Sequence, residues 1–82
     1  ALGTINLFPN PTTGAFTLER TELAGDIEVT VIGLQGQLLR ATEWTAGQSK
    51  LNIDLSDLAA GVYMVRLTAK EGTRTLRVAV QR

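Results

Sequence analysis

Apolar and polar residues alternate along this chain in runs too short for a helix and well suited to a strand. Ile27, Val29 and Val31 enclose Glu28 and Thr30, and Leu51, Ile53 and Leu55 enclose Asn52 and Asp54. Tyr63, Val65 and Leu67 alternate with Met64, Arg66 and Thr68, and Leu76, Val78 and Val80 with Arg77, Ala79 and Gln81. Successive side chains of a strand point to opposite faces, so each run offers one face to a core and one to solvent. Phe16 and Leu18 against Thr17 and Glu19 add a half-buried strand, and residues 4–8 read as an opening one. Leu38 to Thr42 reads as another, with Leu39 and Ala41 on one face and Leu38, Arg40 and Thr42 on the other.

Breakers punctuate these runs roughly every ten residues, as strand-to-strand turns require. Pro9-Asn10-Pro11 removes two donors and forces an extended corner, which Thr12-Thr13-Gly14 completes. Gly33 to Gly36 predicts a hairpin, Thr45 to Gln48 a break and Glu71-Gly72 a turn. Ser56 to Gly61 has room for one helical turn, with Ser56 as N-cap and Gly61 just past its end, but is too short for a true helix. The expected fold is all-β, an immunoglobulin-like sandwich of two antiparallel sheets with about seven short strands. A small barrel is the structural alternative. In either case 82 residues allow one domain, 1–82, with a thin core. The chain opens on Ala1 rather than Met, so it is either processed or cut from a longer protein, and the second is the expectation.

Composition narrows the chemistry. The chain has no His, which removes the commonest side-chain acid/base near neutral pH and the commonest metal ligand. It has no Cys, so neither a disulfide framework nor a thiolate metal site is available. Asp54 and Asp57 are three apart, as are Glu19 and Glu22, but their placement in a turn and on solvent faces favours solvation over catalysis. No enzyme activity and no cofactor are expected. Asp26, Glu28, Asp54 and Asp57 are oxygen donors that a loop-bound calcium ion would use, but they lack EF-hand spacing, and a purely solvating role with no metal is the expectation. No apolar run reaches the ~18 residues of a membrane span, and direct membrane insertion is not expected.

Eight Lys+Arg balance eight Asp+Glu, yet five of the eight bases (Arg66, Lys70, Arg74, Arg77 and Arg82) fall at the C-terminal end, opposed there by Glu71. No stacking aromatic accompanies them beyond Tyr63, which is expected to face inward, so nucleic acid is not an expected partner. Docking to an acidic protein surface suits the asymmetry better, and a solvated face is the plainer alternative. Phe8, out of phase with Ile5 and Leu7, together with Trp44 and Met64, is expected to cover the rim of the core. The last strand carries few charges, so as an edge strand it would be open to pairing with another chain.

Three segments then stand together: Phe8-Pro9-Asn10-Pro11-Thr12-Thr13-Gly14, Asp54 to Leu67 with its Gly61 and Tyr63, and Leu76 to Arg82. In this order and spacing the chain resembles the type A C-terminal sorting domain of type IX secretion cargo in Bacteroidetes. The resemblance implies a non-catalytic export signal at the end of a larger secreted protein. It implies recognition of the folded domain and its last strand by the translocon and shuttle proteins of that system. It further implies removal by a sortase-like peptidase near the N-terminal boundary, an N-terminal cargo domain in the same chain, and passage through periplasm and outer membrane to the cell surface or beyond. The family's Tyr-Pro-Asn-Pro motif falls on Phe8, Pro9, Asn10 and Pro11, with Gly14 closing the corner, and its glycine-aromatic motif on Gly61 and Tyr63, leading to Val65. Its final strand falls on Arg77, Val78, Val80, Gln81 and Arg82. A carbohydrate-binding or adhesion sandwich and a structural spacer domain are the competing expectations.

Overall fold

Each alternating run forms a strand in the computed structural model, which describes residues 3–81. In chain order these are β1 (Ile5–Phe8), β2 (Ala15–Arg20), β3 (Ile27–Ile32), β4 (Leu38–Trp44), β5 (Lys50–Asp54), β6 (Gly61–Ala69) and β7 (Gly72–Val80). A three-stranded sheet, β1-β2-β5, faces a four-stranded sheet, β4-β3-β6-β7. All strand pairs within the sheets are antiparallel. Phe16, Leu18 and Ile53 from the smaller sheet meet Val29, Val31, Val65, Leu67, Val78 and Val80 from the larger one in a single buried cluster. The inward residues are those the period of two selects, and the fold is the expected immunoglobulin-like sandwich.

β4 departs from its expected phase. The β3–β4 register pairs Val31 with Arg40 but Ile32 with Leu38, so Leu39 is the extra residue of a bulge. The bulge re-aims everything after it. Trp44, paired with Ile27 and expected at the rim, turns inward and is fully buried. Arg40 and Thr42 share its parity, but Thr42 is exposed and Arg40 half-buried, because the facing sheet has one strand fewer than the sheet that holds β4.

Burial of Trp44 brings a cation into the core. Arg20 ends β2 and is 2% exposed, its guanidinium carbon 4.7 Å from the centre of the Trp44 ring. It donates to three backbone carbonyls: Nε to Gln48 (3.0 Å), Nη1 to Gly25 (3.1 Å) and Nη2 to Thr45 (2.9 Å). The loops at 23–26 and 45–49 are thereby drawn around one side chain. Gly47 N–H also donates to Leu23 O (2.9 Å), and Ala46 N–H to the Asp26 carboxylate (2.7 Å). A planar five-donor group can serve three divergent carbonyls while its carbon lies over an indole, which an ammonium cannot. Arg20→Ala is expected to lose about 3–4 kcal/mol of stability in urea unfolding, with Arg20→Lys recovering little of it.

The segment after β5 is a turn, not a turn of helix. Leu58 N–H donates to Leu55 O (3.0 Å), closing a four-residue β-turn. The Asp54 carboxylate accepts from Ser56 N–H (2.9 Å) at its start. Gly61 is the first residue of β6 rather than a helix terminator. This turn packs against the corner after β1, where Gly14 is buried with φ +150° and its carbonyl accepts from Leu55 N–H (2.9 Å). A Cβ on Gly14 would lie 2.9 Å from the Ser56 Cα, a backbone atom that cannot step aside. Gly14→Ala is therefore expected to lower the urea midpoint, at a cost of about 1–3 kcal/mol.

Candidate functional site

β7 lies at the edge of the four-stranded sheet, as the sequence reading allowed. Its backbone groups on the side away from β6 need partners or water. The corner between β1 and β2 supplies partners for the C-terminal half. Thr12 N–H donates to Ala79 O (2.8 Å) and Gln81 N–H donates to Thr12 O (2.8 Å), a parallel bridge. One step upstream the Asn10 side chain takes the place of a backbone unit. Its Nδ2 donates to Arg77 O (2.9 Å), and its Oδ1 accepts from Ala79 N–H (3.1 Å). A primary amide offers the donor and acceptor of a peptide group, so Asn10 extends the ladder although prolines flank it and supply no donors. Both X–Pro bonds of the corner are cis.

Two of the three segments singled out in the sequence thus form one surface. Phe8 stands on it with 43% of its surface exposed, beside exposed Pro9, Asn10 and Pro11. Arg77 and Gln81 are exposed, whereas Val78 and Val80 are buried beneath them. Arg82 lies outside the described residues. The third segment is structural support: Gly61 starts β6 opposite Val80, Val65 is in the core, and Tyr63 is half-buried with its hydroxyl donating to Ala59 O. Thr12 lies within the first segment but was not given a role of its own, yet it is 2% exposed. Its Oγ1 donates to Ala15 O (2.6 Å) and accepts from Gly14 N–H (3.1 Å), locking the corner. No periodicity marks it; the only signal is a hydroxyl two residues before a glycine in a proline-rich turn.

The charges are distributed, not gathered. Asp26, Asp54 and Asp57 are engaged with Ala46 N–H, Ser56 N–H and the Arg40 guanidinium respectively, and Glu28 lies on the outer face of β3. Among the described residues no three acidic side chains converge as a metal site would need. Arg74 donates through Nη1 to Gly3 O (2.7 Å). Neither Arg66 nor Arg77 has a carboxylate partner among the described residues, where the ion pairs are Arg40–Asp57 and Lys50–Glu19.

Three strands facing four, with the proline corner between β1 and β2 reaching across to the edge of the larger sheet, define an immunoglobulin-like β-sandwich. A solved structure shares it: a DUF3244 family protein with an immunoglobulin-like β-sandwich fold from Bacteroides vulgatus ATCC 8482 superposes with a TM-score of 0.82. The match covers 96% of this chain and 85% of that one at 15% sequence identity, a likeness of fold alone. No curated protein sequence matches the chain. The family described as "Secretion system C-terminal sorting domain" matches residues 6–81. The chain belongs to this family, the C-terminal sorting domains of type IX secretion, whose members are carried by secreted and cell-surface proteins.

Asn10→Ala removes both side-chain bonds to β7 and leaves the Thr12 bridge. Native-state hydrogen exchange is expected to show the Ala79 amide exchanging about tenfold faster or more, with Val65 in the core little changed.

Proposed function

We propose that this domain is a non-catalytic export signal read in its folded form, and that the surface read is β7 together with the corner clasped to it. The observation that carries this reading is the four-bond junction between residues 10–12 and 77–81. The two motifs at opposite ends of the chain have one location only when the sandwich is folded. A linear tail would not need Asn10 to complete its ladder. In this reading the translocon and shuttle proteins of the type IX system contact the folded domain after it crosses the periplasm. The cargo precedes it in the chain, and a sortase-like peptidase acts on it near its N-terminal boundary. The domain is then the substrate of an enzyme and catalyses nothing itself, which agrees with a chain that has no His and no Cys.

A fluorescent reporter fused to residues 1–82 and expressed in a Bacteroidetes host tests this. Export of the intact fusion is expected, with loss to background when the chain is truncated before Leu76. The truncation also removes Val78 and Val80 from the core. A second fusion carrying Val65→Asp therefore keeps the whole tail while placing a charge in the core. It too is expected to stay inside. Export of the Val65→Asp fusion at the normal level would show that a linear tail is what the machinery reads.

A further inference from the structure

The outer face of the four-stranded sheet is polar at one end and apolar at the other. Register sets the rows that cross it. Glu43, Glu28, Thr68 and Thr73 form one row, and Ala41, Thr30, Arg66 and Thr75 the next. The row after that is Leu38, Ile32, Met64 and Arg77, followed by Val62 opposite Ala79. Ile32, Val62 and Met64 are half-buried, yet they are not among the apolar side chains packed on the core. Leu38 beside them is 63% exposed, and Leu34 at the tip of the β3–β4 hairpin 73%. Scattered single apolar residues on a surface are ordinary, but a contiguous patch spanning three adjacent strands marks an interaction site.

The border of the patch says what fits it. Arg66 and Arg77 flank Met64 on the same face, both exposed and both without a carboxylate among the described residues. The face's own acids, Glu28 and Glu43, sit two rows away. We propose that Ile32, Leu38, Val62, Met64, Arg66 and Arg77 form a docking surface for a protein segment that presents apolar side chains next to carboxylates. An anionic bilayer fits less well. Two arginines attract such a surface only weakly, and two glutamates on the same face oppose it. The surface rests on the export reading in that the partner belongs to the export machinery. It adds a contact separate from the corner, to which only Arg77 of the six is hydrogen-bonded among the described residues.

Two measurements, one on the 82-residue chain and one on its reporter fusion, decide the matter. The first is an amide NMR titration with a short synthetic peptide alternating Leu and Glu, alongside its Leu–Lys counterpart. Shifts are expected at the six residues with the Glu peptide only, weakening about tenfold in Arg66→Glu/Arg77→Glu. Shifts elsewhere, equal response to both peptides, or none would overturn the proposal. So would sedimentation of the free chain as a dimer through this face, or binding to 3:1 phosphatidylcholine–phosphatidylglycerol vesicles in place of the peptide. The second is export of the reporter fusion carrying Met64→Ser, a solvent-face change expected to leave thermal unfolding unaltered. A several-fold drop in export supports the docking surface. Normal export of Met64→Ser beside failure of the truncated fusion would overturn the surface and leave the export reading standing. If the intact fusion itself is not exported, the export reading fails and the peptide titration alone decides the surface.

Discussion

Four hydrogen bonds between residues 10–12 and β7 tie the β1–β2 corner of the smaller sheet to the edge of the larger one, and much else depends on them. β1 pairs with β2 in the smaller sheet, so the chain must leave that sheet to reach the edge of the larger one. Pro9 and Pro11 keep the corner extended, and each deletes a donor that a plain strand would have used. Asn10 restores a donor and an acceptor between them, and Thr12 adds a true backbone bridge. The junction closes one side of the sandwich and shields half of an edge that would otherwise be open to pairing. It also turns two sequence motifs into one surface, which is why the export reading is a reading of a fold.

A second device sits at the loop end. A sandwich of this size has room for only one layer of side chains between its sheets, and its loops have little apolar surface to hold them. Arg20 solves this with directed bonds. One guanidinium on the Trp44 face gathers carbonyls from both loops. Burial of a cation is costly unless its donors are met, and here the backbone meets three of them. The opposite end is held by Gly14 against the Ser56 backbone, where only a residue without a side chain fits. The two ends are thus fixed by opposite means, one by a large polar side chain and the other by the absence of any.

Much of the strand order was legible because burial on one face writes a period of two into the residues. β3, β5, β6 and β7 follow that period closely, and their inward residues are those the alternation names. β4 was misread because a bulge shifts the phase by one residue, and no local residue type announces the shift at Leu39. The turn at 55–58 was misread because Asp54 and Ser56 both carry capping oxygens, and which backbone groups those oxygens reach depends on where β5 ends. The motifs of the candidate site were visible as segments, and the roles of Pro9, Pro11 and Gly14 followed from their backbone chemistry. Their union was not visible. Asn10 and Ala79 are distant in sequence, and nothing in either segment names the other.

By itself the sequence determined an all-β sandwich with a thin core and, through residues 6–81, membership of the C-terminal sorting domains. These follow from local rules: periodicity, breakers and the reactive groups that are present or missing. The tertiary structure alone decided that β7 is an edge strand half-covered by the proline corner, and that Trp44 is core. It decided as well that Arg20 is buried, and that Ile32, Leu38, Val62 and Met64 share one outer face. Each of these depends on which strands are neighbours and in what register. That is a matter of long-range pairing, whose energy is spread over both sheets and written in no single stretch of the chain.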